Sequence, residues 1–263
     1  MLFDLKGRRK RLIQVVYVVL AVLFAAGLIG FGIGGATSGG LFDAIGGGGG
    51  GSSSSAFEKQ VTRLERSVAA QPRNEKAWAE LARAEYQVAT TGGDYDNETG
   101  TFGEDALRHL RRSARAWERY LALKPRRPDP AVASLMVQVY GSELQAGGGV
   151  DALGALKQAA RAQQIVADAR PSAIAFFNLA SIQYLTGKIA AGDRAAKEAV
   201  ARTPKDQRNT VRAQVDEIRK RGVKIKSQTK KADEQAAEAA KETRKSGQDP
   251  FGAAPGGQVA PNQ

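Results

Sequence analysis

One spacing of bulky and small side chains recurs along the middle of the chain, and it dictates paired helices. From Phe176 the order is Phe176, Leu179, Ala180, Tyr184, then Gly187, then Gly192, Ala196, Ala199 and Pro204. Its first half also occurs as Trp78, Leu81, Ala82, Tyr86 and as Val132, Leu135, Met136, Tyr140. Its second half occurs as Ser113, Trp117, Tyr120, Pro125, as Ala159, Gln163, Val166, Pro171, and once before the first full copy as Gln60, Leu64, Ser67, Pro72. Each half puts its large residues on one face of a helix. The small residues mark where two helices approach closely. A proline then ends the second helix, because it cannot continue the hydrogen-bond ladder. A single hairpin cannot bury both of its faces, so neighbours have to stack.

This pattern resembles the tetratricopeptide repeat family over about residues 57–203, and the third copy is the nearest to the family's period of about 34 residues. The tyrosine falls one residue later than in the family pattern in all three copies. Met136 stands where a small residue is usual, and insertions separate the paired helices at 90–104 and around 147–149. The resemblance implies an all-α fold: a helical-hairpin solenoid of about three repeats over residues 56–222. Val211, Val215 and Ile218 form a narrow apolar stripe on a helix expected to end at Gly222 and to cap the stack. Residues 223–247 are charged and Ala-rich, a frayed or isolated helix or a disordered stretch, and 248–263 read as disordered.

Residues 12–35, LIQVVYVVLAVLFAAGLIGFGIGG, carry no charge over 24 positions. A bilayer core needs about 20 such residues at helical rise. Lys6, Arg8, Arg9, Lys10 and Arg11 precede them within a basic tail at 1–11. That asymmetry holds the N-terminus inside and sends the rest across, which predicts a single-pass anchor in the cytoplasmic membrane with an extracytoplasmic domain. The stretch is longer than the apolar part of a cleaved signal peptide, about 7–15 residues. Ala26, Gly30 and Gly34 form a small-residue stripe through which two anchors could pair as a homodimer. Residues 36–55, with a run of glycines followed by four serines, read as a flexible tether reaching roughly 25 Å.

No catalytic constellation, cofactor motif or metal site emerges. The chain has no Cys, which removes disulfides and thiolate chemistry, and one His, His109, read as a surface residue among arginines. Asp94, Asp96 and Glu98 are spaced as in a calcium loop, but Thr99 stands where such a loop needs Gly and Asp105 where it needs Glu. Asn97-Glu98-Thr99 matches a glycosylation sequon. The net charge of +12 is concentrated in 108–127 and in Arg219, Lys220, Arg221, Lys224, Lys226, Lys230 and Lys231. Solvated helix faces or contact with anionic lipid account for it. Nucleic acid is not expected as a partner, because Trp117 and Tyr120 are needed inside the hairpin.

In a helical solenoid the first helix of each pair lines a concave groove. The candidate peptide-binding positions are therefore Arg83, Gln87, Val137, Phe177, Asn178 and Ser181. The resemblance implies a protein-binding scaffold or chaperone-like accessory for exported or envelope proteins, and the layout is similar to bacterial accessory proteins at the secretion translocon. The alternative is a cytoplasm-facing basic domain binding RNA, the ribosome or an anionic membrane.

Overall fold

A computed structural model describes residues 52–96, 101–145 and 152–245. The basic tail, the anchor with its Ala26, Gly30, Gly34 stripe, most of the tether, the sequon, the 147–149 insertion and the C-terminal tail lie outside them. No described helix is long and apolar enough to cross a membrane.

The described chain is all-α apart from one small ribbon. Its helices are α1 (Ser52–Ala70), α2 (Glu75–Thr91), α3 (Glu104–Ala122), α4 (Pro130–Gln145), α5 (Ala152–Ala169), α6 (Ala173–Leu185), α7 (Ile189–Arg202) and α8 (Arg208–Lys245). Between α2 and α3, β1 (Tyr95–Asp96) pairs antiparallel with β2 (Thr101–Phe102). The pairs α2–α3, α4–α5 and α6–α7 pack as hairpins; α1 lies on α2, and α8 lies on α6 and α7. The first helices α2 and α4 also touch each other. The result is a helical solenoid over one continuous core.

The helix boundaries follow local chemistry. Asn74 caps α2 by accepting from Ala77 N at 3.1 Å, and Ser172 caps α6 by accepting from Ala175 N at 3.2 Å. Asp129 Oδ1 accepts from Ala131 N at 2.8 Å at the start of α4. Gly187, with φ 74°, turns the chain after α6 in the left-handed region that glycine adopts without strain. Pro72, Pro125, Pro171 and Pro204 each lie two or three residues beyond α1, α3, α5 and α7.

The repeat positions form the core. Ala82, Ala180 and Ala199 are fully buried, as are Trp117, Val132 and Met136, while Tyr86, Tyr140 and Tyr184 are each under a tenth exposed. Met136 therefore takes a small-residue site without leaving the core: its unbranched side chain fits the gap beside Ser113, whose Oγ lies 3.9 Å from its sulfur. Polar ties cross between elements. Ser113 Oγ donates to Ala82 O at 2.6 Å, Tyr86 Oη donates to Gln138 Oε1 at 2.6 Å, and Gln163 Nε2 donates to Ala175 O at 2.9 Å. Burial pushes the Tyr86 phenol up to about 12, so it remains a donor throughout the physiological range.

Two expected boundaries are corrected. The helix α1 begins at Ser52, inside the tether assigned to 36–55. Val61, Leu64 and Val68 dock it on the core, and once that contact has met the cost of starting a helix, serine extends it with little penalty. The cap does not stop at Gly222 either: α8 runs unbroken for 38 residues to Lys245, so the charged helix expected beyond Gly222 is a continuation of the cap and not an isolated element. Gly222 is buried where α8 crosses α6, and a Cβ there would lie 2.6 Å from Tyr184 O. Close approach of two helices explains this glycine, and the buried stripe of Val215 and Ile218 continues past it to the half-buried Ile225.

Candidate functional site

The six groove candidates lie on the first helices of the three hairpins, Arg83 and Gln87 on α2, Val137 on α4, and Phe177, Asn178 and Ser181 on α6. Their availability differs. Val137 and Phe177 are half-buried against the core, and Gln87 and Asn178 are half-buried as well. Arg83 Nη2 is 3.2 Å from Asp129 Oδ2, so its charge joins α2 to the start of α4. Ser181 is 3 % exposed and its Oγ donates to Phe177 O at 2.9 Å, which leaves this hydroxyl nothing to offer a peptide. Serine hydroxyls in helices commonly make this bond back to their own backbone, and spacing alone does not reveal it.

A second concavity opens away from those six positions. A cleft of about 570 Å3 is floored by Leu121 in the last turn of α3, Pro128 in the following loop, and Ala160 and Ile165 of α5. Lys157 and Arg161, one turn apart on α5, and Lys188, in the loop after α6, edge it. All three are exposed, and among the described residues none of them makes an ion pair. Gln158, Gln164 and Gln183 add amides to the wall, and no carboxylate lines it. The nearest acid along α5 is Asp168, whose Oδ1 accepts from Gln164 Nε2 at 2.7 Å. Gln183 Oε1 is buried and has no hydrogen-bond partner. The cleft unites three helices and two loops, so no single stretch of sequence announces it.

Part of the basic surface on α8 is paired with acids. Arg219 Nε donates to Asp193 Oδ1 at 2.7 Å, and Lys220 and Arg221 lie beside Glu217. The Arg219 guanidinium holds the Asp193 carboxyl below the usual range, with a further hydrogen bond from Tyr184 Oη at 2.9 Å. That trio fastens α8 to α6 and α7.

The lone histidine is not the surface residue expected of it. His109 Nδ1 is 2.6 Å from Glu85 Oε2, and the two side chains are 24 % and 2 % exposed. Arg112 Nη1 reaches to 4.0 Å from both Glu85 and Glu65. Burial raises the Glu85 carboxyl above its ordinary value, opposed by the hydrogen bond to His109 and the charges of His109 and Arg112. Glu85 falls among alanines and a tyrosine on α2, and only the register of α2 against α3 brings its partners to it.

The acidic insertion is also structural in part. Asp94 Oδ2 accepts from Asp105 N at 2.8 Å and Ala106 N at 3.2 Å, which caps α3 from outside the helix. Tyr95 stacks on Phe102 with ring centroids 4.5 Å apart to close the ribbon. Among the described residues no group of three or more acidic or His side chains is placed to hold a metal ion. Set beside protein-family models, curated proteins and solved structures, the chain matches none of them.

Proposed function

We propose that the chain is a membrane-tethered, outward-facing module of tetratricopeptide-like hairpins that binds other proteins, a scaffold or chaperone-like accessory for exported or envelope proteins. The observation that carries this reading is the tied hairpin stack. Ser113, Tyr86, Arg83 and Gln163 lock successive helices through hydrogen bonds and an ion pair, so surfaces built across several helices keep their shape. Rigid composite surfaces lose little side-chain and loop freedom on binding, which favours recognition of a partner. The uncharged stretch at 12–35 behind a basic tail supports the tether, and the repeat spacing supports the family resemblance.

The test combines topology with capture. A C-terminal tag digested by protease in intact cells stripped of their outer wall, leaving a membrane-retained stub, is the expected result. Photo-crosslinkers placed at Val137 and Phe177 are then expected to trap exported proteins. A tag cut only after lysis would place the domain in the cytoplasm and refute the outward reading. The exposed Arg111, Arg115 and Arg119 of α3 would then become the face to test for RNA.

A further inference from the structure

We infer that the cleft between α5 and the ends of α3 and α6 is a docking site for a short acidic segment of a partner protein, recognised by Lys157, Arg161 and Lys188. The inference rests on the protein-binding reading and adds the chemistry of what is bound. Three observations carry it.

The first is charge. Three cations from α5 and the loop after α6 converge on one concavity that no carboxylate lines. Cations gathered without counter-charge repel one another, and an anionic ligand relieves that repulsion. The second is shape. The cleft is a broad, open depression of about 570 Å3, a shape that suits a segment laid along the surface more than an enclosed small molecule. A nucleic-acid strand would look for aromatic faces, and no aromatic side chain lines the cleft. The third is hydrogen bonding. Glutamine amides on the wall can donate to and accept from a peptide backbone, and the buried Gln183 Oε1 is an acceptor still without a donor. Carboxylates meeting cations, main-chain amides meeting glutamines and the apolar floor of Leu121, Pro128 and Ile165 together describe an acidic peptide.

The full chain, purified in detergent, is titrated into a fluorescein-labelled peptide of alternating Glu and Ser and followed by anisotropy. Saturable binding that weakens with salt is expected, and none to the matching Lys/Ser peptide. Lys157→Ala, Arg161→Ala and Lys188→Ala each lose one charge-assisted bond and are expected to weaken binding about tenfold. These side chains are exposed, so the variants keep the fold. Gln183→Met, which removes only the amide, is expected to weaken binding with every charge in place. Arg115→Ala on the outer face of α3 removes the same charge outside the cleft and should change nothing.

Equal loss in Arg115→Ala would reduce the effect to general basicity and overturn the site. So would a wild-type chain that ignores the peptide, or one that instead binds phosphatidylglycerol vesicles through Lys157 and Arg161. Either of the last two results, with crosslinks from Val137 and Phe177 intact, removes this inference and leaves the protein-binding reading standing. Peptide binding in the cleft together with a protected tag removes the outward topology and leaves the cleft.

Discussion

Gly222 is the sharpest test of how α8 is held. In an isolated helix, Gly222→Ala would be favourable by about 0.8–1.0 kcal/mol, since alanine loses less backbone freedom and shields the backbone. In the docked helix the added Cβ would meet Tyr184 O at 2.6 Å, Tyr184 Cβ at 2.8 Å and Tyr184 C at 3.0 Å. Two of those atoms are backbone and the third is fixed to it, so no rotamer change relieves the overlap and α8 must lift from α6. Overpacking of this kind costs about 1–3 kcal/mol, and a rigid obstacle belongs near the upper figure. The clash therefore outweighs the propensity gain, for a net loss of about 1–2 kcal/mol. For a domain of this size that lowers Tm by about 3–6 °C. Thermal unfolding of the full chain followed by circular dichroism measures it. A synthetic peptide covering 208–245, with no Tyr184 to meet, should instead become more helical with the same substitution. A full chain whose Tm rises would show that α8 does not cross α6 this closely, and the cap would have to be redrawn.

Three further outcomes are expected. Glu85→Gln keeps the shape and the hydrogen-bonding reach while removing the charge; because burial raises the Glu85 carboxyl, its protonated form favours folding, and that contribution is present at low pH and lost as pH rises through the raised pKa. Urea midpoints of the variant and the parent should thus meet near pH 4 and separate in the variant's favour by about pH 8, whereas a variant less stable at the higher pH would mean that His109 and Arg112 outweigh the burial of charge. Asp94→Ala removes the cap of α3 and should cost about 1 kcal/mol, and added calcium should leave the parent's Tm unmoved; a rise with calcium would make Asp94 a ligand instead. Asp129→Ala breaks both its pair with the half-exposed Arg83 and the cap of α4, so a loss near 1 kcal/mol is expected, while Arg83→Ala alone should cost less, and the reverse order in chemical denaturation would make the ion pair the stronger link.

Hairpins, their order and their core were legible in the sequence because they depend on local rules. Periodicity of 3.6 marked Leu81, Trp117, Leu179 and Ala199 as inward, and prolines marked the ends of the second helices. Tertiary structure decided whatever depends on how helices register against one another. Gly222 reads as a stop signal along the chain, and only the crossing of α8 over α6 turns it into a contact. Ser181 sits at a groove-facing spacing, yet burial and its own helix's carbonyl consume it. Glu85 and His109 are 24 residues apart and become partners only through the register of α2 on α3. Lys157, Arg161 and Lys188 look like ordinary surface charge until α3, α5 and α6 converge around them. Local propensity and spacing act over a few residues and are written in order along the chain. Charge pairing, close approach and clefts act through space, and packing alone sets those distances.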